Sequence, residues 1–136
     1  MTDAAPPLAF FNSTFEEAMA LTREARDYIA YQQDGDLAGL SAGTKLVASC
    51  ETMRLTARMT QVVAWLLVQK AVHAGEISRE LAAQPKYRLG GQRVCAATDP
   101  LIEEPLPERL SDLLARSHAL YQRIARLDAM LERRRA

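Results

Sequence analysis

Four residues of this chain are of the types that hold zinc: Cys50, His73, Cys95 and His118. Spacings such as CxxC, HxxxH or HExxH bring thiolate and imidazole ligands together locally. None of these occurs. The four residues read instead as a small Cys in a long helix, a loop Cys and two helical His, and neither a metal nor another cofactor is expected. Nucleophilic catalysis has no better footing. There is no GxSxG, and neither Cys has a sequence signature of activation. The carboxylate pairs Glu16-Glu17 and Glu103-Glu104 sit at predicted helix starts, where capping and the macrodipole account for them without acid–base chemistry. Leu89-Gly90-Gly91-Gln92 is neither GxGxxG nor a P-loop and follows no predicted strand, so it reads as a turn. No catalytic residue is expected.

Two polar constellations remain. Arg109, Arg116, Arg123, Arg126 and the run Arg133-Arg134-Arg135 make the last segment basic, but Glu108, Asp112, Asp128 and Glu132 are interleaved with them. That mixture reads as a solvated face rather than a nucleic-acid surface. Arg54, Arg58, Gln61, Trp65 and Gln69 follow one another at steps of three and four and therefore share one stripe of a helix. Arg, Gln and Trp include types that carry interface energy well. The stripe is the candidate partner-binding set, to be satisfied either by the long connection that follows it or by a second chain.

The elements that position these residues are helices. Residues 1–12 read as a flexible, extended lead-in. Ser13 or Thr14 opens a first helix, since Ser13/Glu16 and Thr14/Glu17 both have capping-box spacing. Phe15, Met19, Thr22, Ala25 and Ile29 mark its face, and Asp34-Gly35-Asp36 signals a turn after Gln33. A second helix is expected from about Thr44 to His73, closed by Gly75 as a C′ residue. It has one apolar face through Leu46, Met53, Ala57, Ala64, Leu67 and Ala71. A second runs through Leu55, Met59, Val62, Val63 and Leu66, so more than one neighbour should pack on this helix. Residues 76–106 carry breaks at Pro85, Gly90-Gly91, Thr98-Asp99-Pro100 and Pro105, with another turn or two of helix fitting Glu76 to Ala83. A third helix starts at Pro107 and runs on the seam Leu110, Leu113, Ser117, Leu120, Ile124, Leu127 and Leu131. The expected architecture is all-α: an antiparallel up-down-up three-helix bundle over 13–136, with a long second connection.

The 136 residues fit one domain. Seventeen basic and seventeen acidic residues cancel, which disfavours a dedicated nucleic-acid binder. A hydrophobic share of 49% suffices for a core and argues against disorder. Ala and Leu dominate, favouring helix over strand. The longest apolar run, Val62 to Val68, is far too short to span a bilayer, and no basic-then-apolar leader opens the chain. With two cysteines and no disulfide framework, a cytoplasmic protein without membrane contact is expected.

The stretch Glu51-Thr52-Met53-Arg54-Leu55-Thr56-Ala57-Arg58-Met59, continued from Gln61 through Trp65, Gln69, His73 and Gly75 to Ser78, resembles the signature helix of the RcdA family. The name stands for regulator of CtrA degradation, and the family was first catalogued as an alphaproteobacterial domain of unknown function. Phe15 to Tyr28 is similar to its first helix, and Leu106 to Asp128 to its last. The resemblance covers roughly residues 10 to 132. It implies a three-helix bundle that tends to form homodimers and has no catalytic activity. It further implies an adaptor that helps deliver cell-cycle substrates such as CtrA to the ClpXP protease, with other adaptors, the protease or its substrates as partners. Some members extend past the last helix in a flexible tail, whereas this sequence stops at Ala136 after its Arg run, which bears on any task needing such a tail. The alternative is a helical dimerisation or scaffold module in another regulatory complex.

Overall fold

The structure is a computed structural model and describes residues 6–97 and 104–135. The Thr98-Asp99-Pro100 break and Glu103 lie outside these residues, as do the side chains of Arg134 and Arg135. The described residues are helical, with no strand: α1 (Leu8–Tyr31), α2 (Gln33–Leu37), α3 (Ala42–His73), α4 (Arg79–Ala82), a 3-10 turn at Pro85–Tyr87, α5 (Gln92–Cys95) and α6 (Glu108–Arg135). The three long helices pack directly on one another.

Helix α1 starts at Leu8, after the Pro6-Pro7 pair, and not at Ser13 or Thr14. The reason is Phe11, which is buried against Trp65 (ring centroids 6.1 Å) and His73 (5.2 Å). Burying a Phe side chain contributes roughly 2 to 3 kcal/mol, more than the roughly 1 kcal/mol a Ser or Thr cap is worth. The helix therefore extends back past its best capping residues, and Thr14 becomes a buried position inside it. The Asp34-Gly35-Asp36 turn signal is overridden in the same way. A break at Gln32 is followed by the short α2, whose Leu37 is buried and whose Asp36 accepts from the Tyr28 hydroxyl at 3.0 Å.

Helix α3 is capped at both ends. The Ser41 hydroxyl accepts from the Thr44 N–H at 3.2 Å. At the other end Gly75 has φ +77°, Glu76 N–H donates to Ala71 O and Gly75 N–H to Val72 O. This is the paired-bond C-cap that a left-handed glycine permits. The face of α3 through Leu55, Met59, Val62 and Leu66 is core, joined by Ala18, Leu21, Tyr28, Leu110, Leu113, Leu120 and Ile124. The face through Leu46, Met53 and Leu67 is exposed.

The up-down-up expectation is corrected by the order of the contacts. α1 runs antiparallel to α3: Phe11 meets the end of α3 at His73, while Gln33 donates to Thr52 nearer its start. It also runs antiparallel to α6, since Glu24 pairs with Arg109 and Arg116, and Glu17 with Arg123. Between α3 and α6 the numbers rise together. Ser41 meets Glu104, Arg58 meets Ser117 and Trp65 meets Asp128. The two helices are parallel and the direction is up-down-down. Antiparallel neighbours need only a short loop, whereas a parallel pair needs a crossover that returns the length of the helix. For a 32-residue α3 that length is roughly 48 Å. The 34 residues between His73 and Glu108 make this return.

Replacing Phe11 by Ala should destabilise the protein by about 3 kcal/mol, read as a lower denaturant midpoint. A chain begun at Ser13 should lose a similar amount. Unchanged stability in both would mean that the first turns of α1 are not docked.

Candidate functional site

The polar side chains that face inward between α3 and α6 converge on residues 88–97 of the crossover, which lie along the groove like a strap. The Arg88 guanidinium grips Asp128 through two bonds, Nε to Oδ1 at 2.9 Å and Nη2 to Oδ2 at 2.8 Å, and also pairs with Glu132. Asp128 is buried and accepts from the Trp65 indole N–H at 2.9 Å. One turn before Trp65, Gln61 Oε1 accepts from the Gly90 N–H (2.9 Å), and two turns before Asp128 the Tyr121 hydroxyl donates to Gly90 O (2.8 Å). Arg54 donates to Val94 O at 3.0 Å and pairs with Glu51. His118 Nε2 lies 3.0 Å from Ala96 O.

Arg58 is the centre of this set. It is 1% exposed and donates to four acceptors on two elements: Cys95 O (2.8 Å), Ala97 O (3.0 Å), Leu114 O (3.2 Å) and the Ser117 hydroxyl (3.1 Å). Among the described residues no carboxylate touches it. Burial holds its pKa below the ordinary arginine value, yet a guanidinium stays charged at any pH a protein survives. The positive charge is balanced by three main-chain carbonyl dipoles and one hydroxyl. Its planar fork reaches acceptors on the strap and on α6 at once, which a lysine cannot do.

The Gly90-Gly91 pair is what lets the strap lie this close. Gly91 has φ +71°, and a Cβ there would sit 2.9 Å from Cys95 Sγ; a Cβ on Gly90 would sit 3.0 Å from Gln61 Oε1. The feature read as a plain turn from the sequence is a point of close approach.

The structure thus places Arg54, Arg58, Gln61 and Trp65 of the candidate stripe under or beside the strap. Arg58, Trp65 and Gln69 are buried, and Arg54 and Gln61 are half-buried. Of the two ways of satisfying the stripe, the long connection is the one observed for Arg54, Arg58 and Gln61, and Asp128 of α6 for Trp65. Sequence reading missed their counterparts Arg88, Asp128, Tyr121 and His118. A buried carboxylate on an apolar face, as at Asp128 between Ile124 and Leu131, was the available signal for an internal partner. Among the described residues no buried polar side-chain atom lacks a partner.

The zinc-type residues are not assembled. Cys50 is exposed and His73 lies 23 residues further along the same helix, while Cys95 is on α5 and His118 on α6. No group of three potential metal ligands occurs among the described residues. Burial pushes the Cys95 thiol up, away from a reactive thiolate.

The chain is thus all-helical in its described residues, its long helices run up-down-down, and its crossover is clamped from beneath. It belongs to the family described as "Protein of unknown function (DUF1465)", whose model matches residues 5–136. Among solved structures it is similar to RcdA from Caulobacter crescentus CB15, at 38% identity over 93% of this chain and 92% of that one, with a TM-score of 0.70. The resemblance read from residues 51–78 is borne out. No curated protein matches.

Two outcomes follow from the clamp. Arg58→Ala should destabilise by about 3 kcal/mol or more, because four buried acceptors lose their donor, and Arg58→Lys should restore less than half of that in a urea titration. Burial, with Cys95 and Asp128 nearby, pushes the Tyr121 phenol up to about 12, and burial with the Asp36 bond raises Tyr28 as well. A phenol whose folded pKa is raised favours the fold fully below its unfolded value of about 10 and loses that contribution as pH rises toward the folded value. Stability should therefore fall between pH 10 and 12, and fall less steeply in Tyr121→Phe.

Proposed function

We propose that this protein is a non-enzymatic adaptor that assists delivery of cell-cycle substrates of the CtrA kind to the ClpXP protease, acting in the cytoplasm as a homodimer. The observation that carries the reading is the 38% identity with RcdA along almost the whole of both chains. The polar groups of the α3–α6 groove support it, because they hold the chain's own crossover. Tethering would suffice as mechanism: one surface holds a protease or upstream adaptor, another holds cargo, and proximity raises the effective concentration of cargo. No helix among the described residues is long and apolar enough to cross a membrane.

The outer stripe of α3 through Leu46, Met53, Ala57, Ala64 and Leu67 is the proposed dimer face. Leu46, Met53 and Leu67 are exposed, with Met53 at 72%, and beside them a groove of about 420 Å³ opens between α1 and α3, lined by Met19, Ile29 and Val63 among others. The charged residues Glu51, Arg54 and Arg58 turn toward the strap, which leaves this stripe without charge. Exposed apolar surface of this kind marks an interaction site. The alternative, a scaffold module in a different regulatory complex, would use the same face.

Affinity capture from native cytoplasm with ATP-locked protease should recover the protease together with other adaptors. Capture of a stable complex devoid of protease would favour the scaffold. Ala64→Glu should convert a dimer to a monomer in sedimentation velocity with helicity unchanged, since Ala64 is exposed on the stripe.

A further inference from the structure

The α3–α6 groove holds residues 88–97 as a receptor holds a bound peptide. Gln61, Tyr121, Arg54 and Arg58 reach main-chain groups of Gly90, Val94, Cys95 and Ala97. Only three side chains of the strap are bound: Arg88 on Asp128 and Glu132, and the buried Leu89 and Cys95. Main-chain bonds that give affinity, with a few side-chain pockets that give specificity, are the recurring mode of peptide recognition.

The strap is held mainly by polar contacts and adds little to the apolar core, to which it contributes Leu89 and Cys95. The remaining core comes from α1, α2, α3 and α6, so the long helices stay packed without it. A four-residue α5 has no stability of its own. Among the described residues Arg58 has no carboxylate partner, so lifting the strap returns its charge to water and recovers part of the penalty of burying it. Segments with few apolar anchors open at lower free energy than the core they cover.

We propose that residues 88–97 are a displaceable internal ligand, and that the α3–α6 groove accepts in their place a linear peptide segment carrying an arginine followed by an aliphatic residue. The arginine takes the Arg88 position on Asp128 and Glu132 beside the Trp65 indole, and the aliphatic side chain takes the Leu89 position. The bound main chain receives Gln61, Tyr121 and Arg58. This does not rest on the adaptor reading and is tested on the isolated protein.

The test combines hydrogen exchange of the full chain with titration of a labelled peptide of the sequence Lys86 to Ala97. The strap amides from Gly90 to Ala96 should exchange at least tenfold faster than the centre of α3. The peptide should bind Arg88→Ala at least tenfold more tightly than the unsubstituted protein, because the internal competitor is weakened. A peptide with Ala at the arginine should lose that gain. Leu89→Ala provides a second loosened strap, and circular dichroism verifies that each variant is folded. Exchange of the strap together with the α3 core, absence of peptide binding, or loss of helicity in both variants would each overturn the proposal.

Discussion

A charge with no counter-charge in contact among the described residues sits at the centre of this fold. The Arg58 guanidinium is taken out of water and met by the Cys95, Ala97 and Leu114 carbonyls and the Ser117 hydroxyl. While the strap is down, it supplies two of the four acceptors and α6 the other two. One side chain of α3 thereby fixes where the crossover runs and how α6 is set along α3. The glycine pair, the Tyr121 hydroxyl and the Arg88–Asp128 fork fall into line with that constraint, each satisfying a main-chain or charged group that the close approach would otherwise leave bare.

The same constraint separates two sides of α3. On the inner side polar groups are tied to the chain itself. On the outer side Leu46, Met53 and Leu67 stand free of charged neighbours on the same stripe. A helix apolar on two sides was legible in the sequence, and so was the sharing of one stripe by Arg54, Arg58, Gln61, Trp65 and Gln69. Periodicity reports which residues share a face; it carries no information about what covers that face. The groups that cover it, from Arg88 to Asp128, lie 29 to 63 residues away in the chain.

Helix direction was illegible for a related reason. The seam Leu110 to Leu131 looks the same whichever way α6 lies against α3, and amphipathic spacing does not distinguish parallel from antiparallel packing. The length of the second connection held the information, because a stretch of 34 residues is far more than an antiparallel turn needs. Helix ends were legible where a local signal had no competitor, as at Gly75. They were overridden where burial outweighed it, as at Ser13 against Phe11 and at Asp34-Gly35-Asp36 against Leu37.

The up-down-down order also has a consequence in time. Helices α1 and α3 are near neighbours in sequence and can pair as soon as both exist, whereas α6, the second wall of the groove, is made last. At the usual rate of about 5 to 20 residues per second, the 63 residues after His73 take roughly 3 to 13 s to synthesise. During that interval a nascent α1–α3 hairpin leaves open to water the part of α3 that α6 and the strap will later cover, Arg58 included. The crossover that orders the finished molecule is, during synthesis, the cause of a half-built state whose longest helix still lacks one of its two long neighbours.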